Sequence, residues 1–259
     1  MTAQTSLIDS DTCQDTQTPA NTASQPAPWM PSDEHLAESA QALLTLSHAI
    51  KNIIQMVSGA AEVIDYALEI DQIQKVKQSW NIFTVNLQRL KKFLLDILDY
   101  TKQRPLELSP CDPNNLVRGV IESMKNPLKQ KKVKLQVRLD PSAGQLLLDE
   151  DRVGLMMLNM LLNAIDMVEE GGLVKIETRL LPDTSQLEIA VSDNAATIDQ
   201  QVIDKLLTPL EAHHQRFGCG IGLPLALQIA QQHGGAIELQ PLQDKGHCLR
   251  AVLPAKTSI

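Results

Sequence analysis

The stretch Phe217-Gly218-Cys219-Gly220-Ile221-Gly222 leads straight into a predicted helix that begins near Leu223-Pro224 and ends before Gly234-Gly235. Glycines let backbone N–H groups approach an anion closely, and a helix N-terminus adds unpaired donors and a positive dipole end. The stretch therefore predicts a triphosphate site, with a flexible helix entry as the alternative. No Lys-Ser/Thr pair follows it and no βαβ unit surrounds it, so it is neither a Walker A motif nor a dinucleotide fingerprint.

Two polar groups earlier in the chain fit the same site. Asn159 and Asn163 are one helical turn apart, so their amides face the same way. An amide oxygen suits Mg²⁺, which prefers oxygen ligands, and Asn163 is the better candidate. Asp193 follows a predicted strand (187–192) and can accept a hydrogen bond from the exocyclic amine of adenine. The alternatives are asparagines that cap neighbouring backbone and a simple turn at Asp193-Asn194.

The chain from about Cys111 onward alternates strand and helix patterns. Asp112-Pro113 opens a helix that runs to about Met124, with Asp as the cap and Pro at the first position. The pattern then predicts a strand at 133–139, a helix at 149–168, strands at 173–180 and 187–192, a short helix at 199–207, a helix at 223–233, and strands at 236–239 and 247–253. Strands with helices on one face predict an α/β two-layer sandwich.

The preceding segment carries heptad patterns. Apolar residues four and three apart run from Leu36 to Leu68 in a first helix and from Ile73 to Ile97 in a second, which Pro105 ends. The first helix starts at Ser32-Asp33-Glu34, a serine cap followed by acids. A short link near 69–71 predicts a hairpin.

The first helix has a wider apolar stripe than one neighbouring helix needs. Leu46, Ile53 and Ala60 lie beside its seam and form a second apolar flank. We expect two copies of the hairpin to pair as a four-helix bundle, and hence a homodimer. The alternative is packing of this flank against the carboxy-terminal half of the same chain.

His48 lies just off this seam. It shares a polar, outward-facing stripe with Lys51, Asn52 and Gln55. The pattern therefore predicts that its imidazole is accessible to another domain. Taken alone, a surface histidine on a helix is usually only solvated.

Composition limits the class of protein. The chain has 259 residues and 43% hydrophobic residues, enough for one or two domains with a real core. A net charge of -8 and 3% aromatic residues disfavour nucleic acid as the main partner. No membrane span or signal peptide is expected, and four scattered cysteines favour free thiols in a cytoplasmic protein. Residues 1–31 are rich in Thr, Ser, Gln and Pro and are expected to be disordered.

The order of these features resembles that of the sensor histidine kinases of two-component systems, over roughly residues 36 to 257. Four segments carry the resemblance: His48-Ala49-Ile50-Lys51-Asn52 is similar to the phosphoacceptor box, 158–166 to the N box, 191–194 to the start of the first glycine box, and 218–223 with His233-Gly234-Gly235 to the second. The resemblance implies an α+β chain with a tail (1–32), a helical hairpin that forms a dimeric four-helix bundle (33–105), and an ATP-binding sandwich of the GHKL, or Bergerat, type (106–259).

The resemblance also implies roles for individual residues. His48 is the expected phosphoacceptor, and Asn52 is assigned a phosphatase role. The expected nucleotide-binding residues are Asn159, Asn163, Asp166, Asp193, Asn194, Gly218, Gly220, Gly222 and Leu223, with Mg²⁺ on Asn163. ATP and Mg²⁺ are the implied cofactors. The implied partners are a second copy and a response-regulator receiver domain, and a separate sensor protein is a further candidate; neither nucleic acid nor membrane is expected.

The sequence departs from the family pattern at three places. Ala49 replaces the acidic residue that usually follows the phosphoacceptor histidine and acts as a base. Ala195, Ala196 and Thr197 stand where the first glycine box usually continues. The lid-like segment 207–214 lacks the usual Phe and Lys and offers His213-His214.

These departures leave two alternatives to an active histidine kinase. One is a degenerate member of the family that acts as a dimeric scaffold or a phosphorelay module. The other is a GHKL ATPase or serine kinase in which His48 is incidental.

Overall fold

Two long helices, α1 (Asp33–Glu69) and α2 (Ile73–Thr101), open the described part of the chain. The computed structural model describes residues 33–102, 104–199, 202–203, 206–208 and 220–256, with side chains from Leu44 onward. From Ala40 onward the chain forms one compact unit. The expected amino-terminal tail (1–31) and the histidines of the lid-like segment lie outside the described residues, and the short helix predicted at 199–207 is described at only a few positions.

The two helices form the predicted hairpin. The turn between them contains Asp71, whose φ of 56° reverses the chain, and the N–H of Gln72 donates to the carbonyl of Ala67 at 2.8 Å. Near the open end, Leu46 and Ile50 of α1 pack on the cluster that contains Phe93 of α2.

Burial along the hairpin differs from the predicted seams. None of the described seam residues is fully buried, and several are largely exposed: Ile54, Leu68, Ile73, Trp80, Leu87 and Leu94. The fully buried positions are Ala60 and Ala67 in α1 and Ser79, Asn86, Phe93 and Asp96 in α2, most of them seven residues apart. The most buried positions of the hairpin thus lie beside the predicted heptad seams, and in α1 they include Ala60 of the second apolar flank. Much of the apolar seam faces outward.

A mixed five-stranded sheet forms the framework of the carboxy-terminal part. The elements in chain order are β1 (Ser109–Cys111), α3 (Pro113–Ser123), α4 (Lys125–Gln130), β2 (Lys134–Arg138), a 3₁₀ turn (Pro141–Ala143), β3 (Leu146–Leu148), α5 (Glu150–Met167), β4 (Leu173–Leu181), β5 (Gln186–Asp193), α6 (Gly222–Gln232), β6 (Ala236–Pro241) and β7 (His247–Pro254). The strand order is β2-β4-β5-β7-β6, with β2 parallel to β4 and the other pairs antiparallel. The predicted α/β sandwich is confirmed.

One face of this sheet carries the core. Along β5 and β7 every second residue is buried, and along β4 the same alternation runs from Val174 to Thr178, as the period-two pattern predicted. Helices α3, α5 and α6 cover this face; α5 alone buries Met156, Met157, Met160 and Leu161 completely. The opposite face is charged, and Arg250 there bonds to Glu188 and Glu238.

Acidic caps start two of these helices, as expected from the sequence. Asp112 accepts from the N–H of Asn114 at the start of α3, and Asp149 accepts from the N–H of Arg152 at the start of α5. These bonds satisfy backbone donors that have no partner inside the helix.

Asp149 also ties the hairpin to the sheet domain. It accepts from the backbone N–H of Glu107 at 2.9 Å and from Arg104 at 3.2 Å, in the segment that follows α2. Burial alone would raise the pKa of Asp149, but these bonds and the Arg152 N–H lower the pKa below its ordinary value. The carboxylate therefore stays ionised and holds the junction at neutral pH.

The sequence patterns missed three short elements. β1 pairs with β3 as an antiparallel ribbon beside the main sheet, and α4 follows α3 after a single residue. Segments this short have too few residues to show a period. Within the described residues, no helix contains a stretch long and apolar enough to cross a bilayer.

Candidate nucleotide site

Helix α5 contributes the two asparagines of the site. Asn159 is buried at 3% exposure; its Nδ2 donates to the carbonyl of Leu155 at 3.1 Å, and its Oδ1 accepts from Lys92 Nζ at 2.8 Å. Asn163 is half-buried one turn further on. The predicted alignment of the two amides is correct, and both side chains line one cavity.

The glycine loop meets this helix at Asn159. Gly220 has φ 72°, which favours glycine, and α6 begins at Gly222. A Cβ atom at Gly222 would stand only 2.9 Å from Asn159 Oδ1, so a glycine is needed for this approach. Gly218, the first glycine predicted for the site, lies outside the described residues.

A cavity of about 300 Å³ is lined by both asparagines and by the described end of the glycine loop. Its walls come from three parts of the chain: α2, the α4–α5 region, and the start of α6 at Ile221, Gly222 and Leu223. Helix α5 and the start of α6 therefore line one cavity together with α2.

Asp166 lies in the same cavity wall. Its burial raises the pKa of the carboxyl to about 6, and the nearby cations Lys131, Arg89 and Lys92 oppose this shift only in part. The Lys131 ammonium caps the end of α5 by donating to the carbonyls of Ile165 and Asp166. Asp166 is thus mostly ionised at neutral pH and becomes protonated a unit below it.

Asp193 and Asn194 are not part of the lining of this cavity. Asp193 ends β5 on the buried face, where its Oδ1 accepts from the N–H of Ala195 at 2.8 Å. His247 Nδ1 stands 3.5 Å from the same oxygen, and His247 Nε2 accepts from the N–H of Ile198. Asn194 joins the sheet by accepting from the N–H of Leu173.

The bond from Ile198 fixes the tautomer of His247. Because Nε2 acts as an acceptor, the proton of the neutral ring is on Nδ1, which points toward Asp193. Gly246 precedes His247 with φ 100°, and a Cβ there would collide with the Asp193 carbonyl oxygen. The start of β7 therefore packs closely against Asp193.

His48 is exposed on α1, as predicted, and so are Lys51 and Asn52. The next residue, Ala49, packs on a small cluster formed by Phe93 and Ile221. Ile221 directly precedes Gly222 at the start of α6. The exposed histidine is therefore one residue away from a contact with the glycine loop.

Sequence reasoning missed the contribution of α2. Lys92, Phe93 and Asp96 line the cavity, although Lys92 is 67 residues from Asn159. The i,i+4 spacing of Lys92 and Asp96 indicates an ion pair on a helix. Nothing in that spacing indicates which other helix the pair contacts.

The donors in the cavity suit a hard cation. Asn163 and Asp166 offer an amide and a carboxylate oxygen, which Mg²⁺ accepts together with phosphate oxygens and water. Asn159 Oδ1 is engaged by Lys92. Within the described residues no group of three or more His, Cys, Asp or Glu side chains forms a metal cluster.

Residues 148–257 match the family described as histidine kinase-, DNA gyrase B- and HSP90-like ATPase. This match covers α5, the glycine loop, α6 and every strand of the main sheet except β2. The carboxy-terminal part of the chain is therefore similar to ATPase domains of this GHKL class.

The wider matches identify the chain as a relative of the sensor histidine kinases. The sensor histidine kinase ZraS of Escherichia coli is 23% identical over 209 residues, which are 81% of this chain and 44% of ZraS. Sporulation kinase C of Bacillus subtilis is 22% identical over 233 residues, 87% of this chain and 53% of that protein. The chain spans about half the length of these relatives.

Solved structures share the fold over both parts. Histidine kinase ThkA in complex with the response regulator TrrA has a TM-score of 0.68 at 21% identity, covering 86% of this chain and 64% of ThkA. Acinetobacter baumannii histidine kinase AdeS has a TM-score of 0.62 at 17% identity, covering 81% and 98%. ShkA, solved with AMPPNP, has a TM-score of 0.60 at 18% identity, covering 82% and 46%.

Proposed function

We propose that this chain is an ATP-dependent protein histidine kinase that phosphorylates His48 and passes the phosphoryl group to a response-regulator aspartate. One observation carries the proposal: His48 is exposed, while its neighbour Ala49 packs on the cluster of Phe93 and Ile221, two residues that line the cavity. The match to the ATPase family supports ATP as the donor.

The chemistry requires little covalent help from the protein. A neutral imidazole has a free lone pair near pH 7, so one ring nitrogen of His48 attacks the γ-phosphorus while the bond to the ADP oxygen breaks. The N-terminus of α6 provides N–H donors for phosphate oxygens. Mg²⁺, held by Asn163 with Asp166 nearby, would neutralise phosphate charge.

The absence of a base at position 49 affects the rate. General-base help is worth ~10²–10⁴-fold, and the methyl group of Ala49 cannot supply it. The packing of Ala49 on Phe93 and Ile221 leaves an apolar environment at this position. The proposal therefore includes slow autophosphorylation.

Labelled ATP tests the proposal. The purified chain is incubated with Mg²⁺ and γ-labelled ATP beside His48→Gln, with Lys51→Gln as a control on the same exposed stripe. We expect acid-labile label on the wild type and on Lys51→Gln, and none on His48→Gln. Label on His48→Gln equal to that of the wild type would exclude His48 as the acceptor.

Asn52 supports a second activity on the same surface. It is exposed one turn beyond His48 and can orient a water toward a receiver phosphoaspartate. We propose that it assists dephosphorylation of the receiver domain. If Asn52→Ala dephosphorylates a phosphorylated receiver as fast as the wild type, this role is wrong.

We also propose a homodimer built on the hairpin. Contiguous apolar patches are rare on monomers, and the outward seam includes Ile54, Trp80, Leu87 and Leu94. A second copy would bury these residues in a four-helix bundle. Sedimentation velocity of the intact chain would measure this directly, and a monomer at micromolar concentration would contradict it.

A degenerate, non-catalytic scaffold or phosphorelay module is the second candidate. Two observations favour it: Ala49 lacks a carboxylate, and Asp193 already accepts from the N–H of Ala195, a position where the family has glycine. This candidate predicts no label from ATP on the wild type, while a phosphorylated receiver still charges His48.

Input and location are part of the proposal. A separate sensor protein would supply the signal. The free thiols of Cys111 and Cys248 support a reducing, cytoplasmic location. Burial raises the pKa of both thiols, so both stay protonated and unreactive.

A further inference from the structure

The hairpin supplies the positive charge of the nucleotide cavity. Among the described residues that line this cavity, the cationic side chains are Arg89 and Lys92, and both belong to α2. Helix α5 contributes Asn159, Asn163 and the carboxyl of Asp166 instead. A triphosphate placed here needs cations to offset its charge, and α2 is where the described lining offers them.

Lys92 is held toward the phosphate end of the cavity. Its ammonium lies 2.8 and 2.7 Å from the two carboxylate oxygens of Asp96 and 2.8 Å from Asn159 Oδ1. Asn159 Oδ1 in turn lies where a Cβ on Gly222 would contact it at 2.9 Å. The ammonium is thus separated from the first residue of α6 by one amide group.

The three bonds of Lys92 differ in how easily they can be exchanged. An ammonium has three donors, and two of them go to Asp96, whose side chain is only 11% exposed. The third goes to a neutral amide, which is a weaker acceptor than an ionised phosphate oxygen. If Lys92 exchanges its bond to Asn159 for a bond to a phosphate oxygen, the ion pair with Asp96 stays intact and Asn159 Oδ1 is released.

Asp96 explains why the ammonium stays in place without a nucleotide. Burial raises the pKa of Asp96 even though Lys92 acts to lower it, so the carboxylate depends on its partner. The pair holds the Lys92 side chain, which is 38% exposed, in one conformation beside the cavity. A side chain that is already ordered loses less entropy when it binds a ligand.

We propose that Lys92 of the hairpin is a phosphate-binding residue of the nucleotide site and exchanges its bond to Asn159 for a bond to the nucleoside triphosphate. This inference rests on the proposed nucleotide-dependent function and adds a residue to it from outside the ATPase domain. It makes the hairpin part of the nucleotide site as well as the bearer of the phosphoacceptor. The affinity for nucleotide then depends on whether the hairpin is packed against the carboxy-terminal domain.

Binding of ATP and of adenosine, measured by calorimetry on the intact chain with Mg²⁺, tests the proposal. Lys92→Gln removes the cation, and Lys91→Gln removes the adjacent, exposed cation as a matched control. A bond from a charged donor is worth on the order of ten-fold in affinity or more. We expect Lys92→Gln to weaken ATP by at least ~10-fold while adenosine is unchanged, and Lys91→Gln to bind both like the wild type.

Two further variants separate binding from folding. Lys92→Gln with Asp96→Asn leaves no buried unpaired charge and must show the same loss for ATP. Lys92→Arg keeps the charge and must recover most of the affinity. Both variants are compared with the wild type by thermal unfolding.

The outcomes are distinct. If the wild type binds ATP and the double variant binds it equally well or more tightly, Lys92 is not a phosphate ligand and only blocks Asn159, which overturns the inference alone. If the wild type binds neither ATP nor adenosine, the proposed function fails, and this inference fails with it.

Discussion

The carboxy-terminal sheet domain and the hairpin bury their apolar side chains to different degrees. In the domain, α5 places four large residues at zero exposure against the sheet, whereas in the hairpin Trp80 is 57% exposed and Leu87 46% exposed. The domain has a filled core, whereas the outward apolar seam of the hairpin is the surface proposed to pair with a second copy. We therefore expect substitutions in the core of the domain and on the surface of the hairpin to have different effects.

The largest expected effect concerns the filled core. Leu161→Ala creates a cavity at a fully buried position, and such changes lower the free energy of unfolding by about 2–5 kcal/mol. Denaturant unfolding followed by circular dichroism measures the loss. The loss should be independent of protein concentration, since Leu161 is fully buried in the core of the sheet domain; a concentration-dependent loss would contradict this assignment.

The next effect concerns the outward seam. Leu87→Glu places a charge on the proposed dimer surface and is expected to raise the dimer dissociation constant by ~100-fold, about 2.7 kcal/mol. Sedimentation equilibrium measures the constant. Gln88→Glu, at an exposed residue beside it, is the control for added charge. Equal dissociation constants for the two variants would mean that Leu87 lies outside the interface.

A smaller effect concerns Asp166, at the boundary of the two parts. The pKa of Asp166 is about 6 in the folded chain and lower in the unfolded chain, so the protonated carboxyl favours the folded state. This contribution to stability is complete below pH ~4 and is lost as the pH rises through 6. Asp166→Asn should therefore raise the free energy of unfolding by about 2 kcal/mol at pH 8 and change little at pH 4. Glu169→Gln, at an exposed residue near the end of α5, is the control, and a gain independent of pH would refute the stated cause.

The smallest effect concerns His247. His247→Ala removes the ring beside Asp193 and leaves the N–H of Ile198 without its partner, a cost of about 1–2 kcal/mol. If Asp193 binds adenine, as the sequence predicts, the affinities for ATP and adenosine fall by the same factor, roughly 5–10-fold; unchanged affinities would mean that Asp193, which does not line the cavity, lies outside the nucleotide site. Lys92→Gln should affect ATP alone, so calorimetry on the two variants separates the adenine end from the phosphate end.

Much of the fold was predictable because local rules agreed with the packing. The Asp112 and Asp149 caps, the period of the strands, and the asparagines one turn apart all express contacts within a few residues. The hairpin was predictable for the same reason, since a heptad pattern and a short link limit the topology.

The rest depends on contacts that no local pattern encodes. The sequence placed Ala60 in a second apolar flank and assigned that flank to another partner, and no apolar pattern marked the buried Ser79 and Asn86 of α2. The bond between Lys92 and Asn159 joins residues 67 positions apart, and the position of His247 beside Asp193 follows from the pairing of β5 with β7. Each of these needed the tertiary arrangement.

The turn at Asp71 has a consequence for how a signal travels. Only three residues, Ile70 to Gln72, connect α1 to α2, and an extended segment of three residues spans at most about 10 Å. Packed helices have axes 8–10 Å apart, so the connection has little slack. A displacement or rotation of α1 is therefore transmitted to α2 as a movement of the whole helix, because the short connection cannot absorb it.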